Sequence, residues 1–322
     1  MDGIQHRSVE TNGIRMHIAE SGSGPLVILC HGFPESWYSW RHQLRALADA
    51  GFHAVAPDMR GYGRTDAPET IEQYTLLHLV GDIVGLVEAL GANEAVIAGH
   101  DWGAPVAWHA ALFRPDVFRG VIALSVPHRP RSPVLPTTVM PKTDDAQFYQ
   151  LYFQAAGIAE AEFERDPRRT LRAILLSLSG EALPARTDTP VGMVPQSGGF
   201  LTANADKLPL PTWLTAADLE YYAAEFARTG FRGGLNWYRN IDRNWELLGA
   251  FKGAMVQVPA LYIAGDRDLV VGFRGMDQLI ANLKNLVPKL RGSLMLPGCG
   301  HWTQQERAAD VNAAMRDFIR DL

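Results

Sequence analysis

The chain has 322 residues, enough for one large domain or two ordinary ones, and its 47% hydrophobic and 20% charged residues suit a globular protein with a substantial core. A formal net charge of -5 leaves no broad basic field for nucleic acid. No run approaches the roughly 18 uncharged apolar residues of a membrane span.

The opening Met1-Asp2-Gly3-Ile4-Gln5-His6 has neither the basic start nor the apolar run of a signal peptide. The two cysteines, Cys30 and Cys299, are too few for a disulfide framework and read as buried reduced thiols. Together these features predict a cytoplasmic protein. The first short β-branched run, residues 26–30, predicts a strand buried on both faces, and His31-Gly32-Phe33-Pro34 follows it directly. Residues 54–56 predict a second strand. The Gly61-Tyr62-Gly63-Arg64 turn beyond it lacks the Lys-Ser/Thr of a phosphate loop.

Leu76, Leu79, Val80, Ile83, Val84, Val87 and Leu90 recur at helical spacing, and Gly91 supplies a stop. Residues 95–98 predict a further strand, running into Gly99-His100-Asp101-Trp102-Gly103. A helix through Val106, Ala107, Ala110 and Ala111 follows and stops before Pro115, after which residues 121–124 return to strand. Alternation of strand and helix predicts an α/β fold, with a mostly parallel central sheet flanked by helices.

That rhythm breaks after Pro127. Pro130, Pro133, Pro136 and Pro141 lead into helix-like segments rich in aromatics, including residues 173–178. The basic run Asp166-Pro167-Arg168-Arg169-Thr170-Leu171-Arg172 reads as a solvated helix face, and residues 191–210, rich in Gly and Pro, as a long loop. Strand patterning resumes at Val258, with runs at 260–264 and 293–296. The expected organisation is one interrupted core, residues 1–126 and 251–322, with a helical cap at 127–250 over the C-terminal edge of the sheet.

Three loops carry candidate chemistry. Small residues two positions either side of Asp101 form a nucleophile-elbow pattern, in which a strained turn lifts the central side chain above the sheet. Serine hydrolases place Ser there. A carboxylate is already ionised at neutral pH, so it can attack an sp3 carbon without a base and form an alkyl-enzyme ester. Asp101 as a simple helix N-cap is the alternative. Hydrolysing such an ester requires a base and an oxyanion hole. His301, on the Gly-rich turn Pro297-Gly298-Cys299-Gly300-His301-Trp302, is the candidate base. Gly265-Asp266-Arg267-Asp268 ends another strand and offers Asp266 or Asp268 to orient it. The order nucleophile, acid, histidine is that of α/β-hydrolases, whose oxyanion hole would here use the amides of Phe33 and Trp102.

Taken together, these motifs resemble the soluble epoxide hydrolases of the α/β-hydrolase superfamily, over essentially the whole chain. The resemblance is most specific in His31-Gly32-Phe33-Pro34-Glu35-Ser36-Trp37-Tyr38-Ser39-Trp40-Arg41, in the Asp101 elbow and in Gly300-His301-Trp302-Thr303-Gln304. It extends to Tyr149-Gln150-Leu151-Tyr152-Phe153-Gln154 and Leu235-Asn236-Trp237-Tyr238-Arg239-Asn240. It implies Asp268 as the acid, and Tyr149 and Tyr238 as cap donors to an epoxide oxygen; Tyr152, three residues from Tyr149, could compete for that role but at helical spacing reads as a packing residue. A released alkoxide needs such donors, and tyrosine is protonated at pH 7.

The expected partner is a small-molecule epoxide, with no cofactor; a homodimer is compatible with the sequence. His31, His100 and His301 lack metal-ligand spacing. A haloalkane or haloacid dehalogenase would share the aspartate and histidine, but halide needs N–H donors such as Trp102 and no proton. The paired tyrosines, and Phe33 where many dehalogenases have Asn, favour the epoxide. No Gly-x-Ser-x-Gly occurs for a serine esterase. A non-catalytic ligand-binding protein would have no use for the complete triad.

Overall fold

The computed structural model describes residues 3–182, 192–201 and 208–322. Among these, an eight-stranded sheet runs in the order β1-β2-β4-β3-β5-β6-β9-β10. Its strands are β1 (Gln5–Thr11), β2 (Ile14–Ser21), β3 (Leu26–Cys30), β4 (His53–Pro57), β5 (Ala95–His100), β6 (Phe118–Leu124), β9 (Ala260–Gly265) and β10 (Leu290–Leu296). The β4-β3-β5-β6-β9-β10 portion is parallel throughout, while β1, β2 and β4 pair antiparallel.

Every residue of β3 and β5 is buried. Both runs are apolar without alternation because helices cover both sides of a parallel sheet. Those helices are α1 (Arg41–Asp49), α2 (Leu76–Ala89), α3 (Gly103–Phe113) and, at the end of the chain, α12 (Ala308–Arg320). Helix α1 packs against α12, and α2 against α3.

All six strands expected from the sequence form. Two further strands, β1 and β2, precede them as an antiparallel hairpin at the sheet edge.

Between β6 and β9 the chain leaves the sheet. It builds α4 (Tyr149–Tyr152), α5 (Ile158–Phe163), α6 (Pro167–Ser177), α7 (Ala216–Thr229), α8 (Arg232–Arg239) and α9 (Ile241–Leu247). The basic run opens α6, where the Asp166 side chain caps the helix by accepting from the Arg169 amide. The insertion is not purely helical: β7 (Ala146–Phe148) pairs antiparallel with β8 (Met193–Pro195). Part of the expected loop at 191–210 is therefore strand, and 191 and 202–207 lie outside the described residues. After β9 come α10 (Met276–Ala281) and, beyond β10, α11 (Thr303–Glu306). No helix among the described residues is long and apolar enough to cross a membrane.

Since β3, β5, β6 and β9 run in register and parallel, their C-terminal ends share one edge. The loops leaving that edge carry Phe33, Asp101, Ser125 and Asp268, and the turn after β10 carries His301.

Candidate active site

The turn after β5 bends so sharply that Asp101 adopts φ 50, in the left-handed region where a non-glycine residue is uncommon. A Cβ at Gly99 would lie 2.0 Å from the Gly103 carbonyl oxygen, and one at Gly103 would lie 2.1 Å from the Cys30 carbonyl oxygen. Both neighbours are backbone and cannot move aside, so the flanking glycines are sterically required. The N-cap of α3 is Trp102, not Asp101, and no side chain caps that terminus. The helix-cap alternative for Asp101 is thereby removed.

The Asp101 carboxylate is aimed elsewhere. Its Oδ1 accepts the Phe33 amide at 2.8 Å, and its Oδ2 lies 3.5 Å from Nε2 of His301. The Trp102 amide, the other expected donor, makes no bond to this carboxylate in the structure. Burial alone would raise the Asp101 pKa, but hydrogen bonding to His301 and its charge bring it below the usual carboxylate value.

Behind the ring, His301 Nδ1 donates to Asp268 Oδ1 at 2.9 Å, and the same oxygen accepts the Val270 amide at 2.9 Å. Asp266 instead points outward, accepting the Gly298 amide at 2.7 Å. Burial opposes the charge on His301. The nearby Asp268 carboxylate and the hydrogen bonds to Asp101 and Asp268 outweigh it, holding the imidazole pKa well above its ordinary value. The turn bearing His301 is fixed to the insertion: its amide donates to the Leu178 carbonyl, and Glu306 accepts the amides of Gly180, Gly300 and Trp302.

Tyr149 opens α4 and Tyr238 lies near the end of α8, and both rings border the space above Asp101 with centroids 6.0 Å apart. Burial, then the Asp101 charge, pushes both hydroxyls above the usual tyrosine range. Tyr152 points away, donating to Glu162 at 2.6 Å. Phe33, Asp101, Tyr149, Tyr238 and His301 share one cavity of about 770 Å³, whose remaining wall is chiefly apolar. A mostly apolar cleft with a few convergent polar groups is the usual form of a small-molecule site.

Comparison with known proteins agrees with this geometry. Residues 25–308 match the family model of the alpha/beta hydrolase fold. Epoxide hydrolase A of Mycobacterium tuberculosis is 45% identical over 100% of this chain and 99% of its own length. Epoxide hydrolase 3 of Siraitia grosvenorii is 44% identical over 99% of each. The solved structure of an epoxide hydrolase from an endophytic Streptomyces superposes with a TM-score of 0.94. It is 46% identical, covering 99% of this chain and 96% of that one. The chain belongs to the epoxide hydrolases of the α/β-hydrolase fold.

In this epoxide hydrolase the remaining conspicuous histidines have structural partners. His31 binds the Gly32 carbonyl and accepts the Met59 amide. His100 bridges the buried Glu35 carboxylate at 2.8 Å and the His301 carbonyl at 2.7 Å. Glu35 Oε1 also accepts from Gln304 at 2.9 Å, tying the Phe33 loop to the base turn. No group of three or more His, Cys, Asp or Glu among the described residues is arranged to hold a metal. Sequence reasoning assigned no role to Glu35 or Ser125, although the Ser125 hydroxyl lies 3.2 Å from His301 Nδ1. Nothing in the local sequence marks either residue, because their partners lie 65 and 176 residues away.

Proposed function

We propose that this enzyme adds water to an epoxide, giving a vicinal diol through an alkyl-enzyme ester on Asp101. The observation that carries the proposal is the environment of one carboxylate. Its Oδ1 is bound by an amide, its Oδ2 faces His301, and two protonated tyrosines border the same cavity.

In this scheme Oδ2 of Asp101 attacks a ring carbon and the carbon–oxygen bond breaks. The leaving oxygen takes a proton from the pair Tyr149 and Tyr238, a contribution on the order of 100- to 10,000-fold. Esterification removes the Asp101 charge, which is one of the causes holding the proton on His301. His301 then releases that proton toward the tyrosinate and becomes a base, oriented by Asp268. Water attacks the ester carbonyl as His301 takes its proton, and Oδ1 develops charge against the amides of Phe33 and Trp102. Collapse returns a proton to the diol and restores the Asp101 carboxylate.

Residues 127–250 act as the cap that supplies the tyrosines, on a core formed by 1–126 and 251–322. We place the enzyme in the cytoplasm, which suits its free cysteines Cys30 and Cys299. We also propose a homodimer. Leu294 and Met295 on the edge strand β10 are 37% and 36% exposed, and light scattering of the eluted protein measures the assembly.

A single turnover in 18O-water tests the chemistry. The label should enter Asp101 and leave the first diol unlabelled; a labelled first diol overturns the ester route. His301→Gln should accumulate the alkyl-enzyme, visible by intact mass. Halide release from a haloalkane panel, without diol from epoxides, would move the assignment to a dehalogenase.

A further inference from the structure

Ser125 follows β6 directly and has φ 70, again in the left-handed region. It is fully buried. Its backbone is held from both sides: its amide donates to the Ile263 carbonyl at 2.9 Å, and its carbonyl accepts the Tyr262 hydroxyl at 2.7 Å. This unusual conformation brings Oγ to 3.2 Å from Nδ1 of His301. A non-glycine residue is unfavourable there, so the surrounding contacts must impose it.

The hydrogen-bond accounting around Asp268 is incomplete without this hydroxyl. Oδ1 receives both His301 Nδ1 and the Val270 amide, whereas Oδ2 is buried with no partner of ordinary hydrogen-bond geometry among the described residues. A buried carboxylate oxygen left without a donor carries a desolvation penalty. His301 Nδ1 carries the proton shared with Asp268, so Ser125 Oγ meets it as an acceptor. Its own proton is then free for the carboxylate. Burial opposes the charge on Asp268, and the charge and hydrogen bond of His301, followed by a hydrogen bond from Ser125, hold its carboxyl below the usual range.

We propose that Ser125 is a positioning residue for ester hydrolysis, its hydroxyl bridging His301 Nδ1 and the otherwise unpartnered oxygen of Asp268. The bridge fixes the tautomer and the tilt of the imidazole, so that Nε2 meets the attacking water. The role rests on the reading of Asp101 as nucleophile and His301 as base. It belongs to the second step, because His301 takes up no proton while Asp101 attacks the epoxide.

Rapid-quench kinetics with intact-mass detection, using styrene oxide as the probe, separate the two steps in Ser125→Ala and Ser125→Gly. The glycine variant also relieves the left-handed backbone, so a loss caused by strain and a loss caused by the missing hydroxyl are distinguished. Removing an outer partner that orients a metal-bound histidine costs roughly 10- to 100-fold in activity, and an orienting partner of a catalytic base is expected to matter on the same scale. Both variants should therefore hydrolyse the alkyl-enzyme about tenfold or more slowly, alkylate at the wild-type rate and accumulate the ester. Three results overturn the role: unchanged hydrolysis, wild-type behaviour restored by glycine alone, or alkylation falling in parallel with hydrolysis. His301→Gln run alongside isolates the premise. If it too forms no adduct, the ester reading has failed rather than the role of Ser125.

Discussion

Tyr149 and Tyr238 border the same largely apolar cavity as the Asp101 carboxylate, and burial and that charge together favour the neutral phenol. Burial comes first, and the negative charge of Asp101 adds to it. An ordinary tyrosine ionises near pH 10 and would lose its donor proton there. With both pKa values raised, the phenols stay protonated to higher pH, so under the proposed donor role the alkylation rate constant should stay level as pH passes through 10. A fall in that rate with a midpoint near 10, measured by stopped-flow alkylation, would contradict the assignment. Tyr149→Phe and Tyr238→Phe should each slow alkylation by about 100-fold or more, with ester hydrolysis little changed. Asp101 and His301 stand out in the sequence because each sits in a strand-end motif of a few residues, whereas Tyr149 and Tyr238 are suggested only through the family resemblance. Ser125 and Glu35 do not stand out, since their roles arise from contacts 176 and 65 residues away in sequence. A chain read locally carries no mark of such pairings.

At the level of elements, the parallel strands could be read because burial on both faces demands short, unbroken apolar runs. The β1–β2 hairpin was missed for the opposite reason. Its first strand is mostly exposed and polar, giving no core signature. Its turn did carry a signal: Asn12-Gly13, with φ 44 and 75, has the two successive positive angles that two-residue hairpin turns favour. The short β8 strand hid within a Gly- and Pro-rich segment whose composition reads as loop. The elbow was legible through its glycines, and its geometry gives a sharp test. In Gly99→Ala the new methyl would sit 2.0 Å from the Gly103 carbonyl oxygen, a contact that only displacement of α3 or β5 relieves. The expected cost is about 3 kcal/mol or more, with Asp101 displaced from the Phe33 amide and activity lost. Thermal denaturation alongside turnover checks this. A variant as stable and active as the parent would show that the packing is looser than these distances imply.

Across the whole molecule, the buried ionisable groups set opposing limits on stability. His128 is 4% exposed, packs against Trp108 and His109, and has no partner for Nδ1 among the described residues. Burial, with a smaller contribution from the His109 charge, pushes its pKa from 6.5 down to about 3. Its folded value lies below its unfolded one, so the unfolded chain gains the proton first as pH falls. The stability tied to its neutral form is complete above 6.5 and is lost progressively as pH falls toward about 3. His31, also buried and lowered, acts in the same direction. The depressed carboxylates Glu35, Asp58, Asp101 and Asp268 begin to lose their contribution only near and below their unfolded values of 4.5 and 3.8. His301 is raised and has the opposite sign: its contribution is full below 6.5 and is lost as pH climbs through its folded value. Between pH 6.5 and 4.5, therefore, the buried neutral histidines should govern the slope of stability against pH. Each contributes up to about 1.4 kcal/mol per pH unit there. His128→Phe keeps a ring of similar shape against Trp108 and removes the titration. Its melting temperature should fall less steeply than the parent's between pH 6.5 and 4.5, measured by calorimetry at matched ionic strength. Parallel slopes for the two proteins would mean that His128 takes up its proton in the folded state and that the acid sensitivity arises elsewhere.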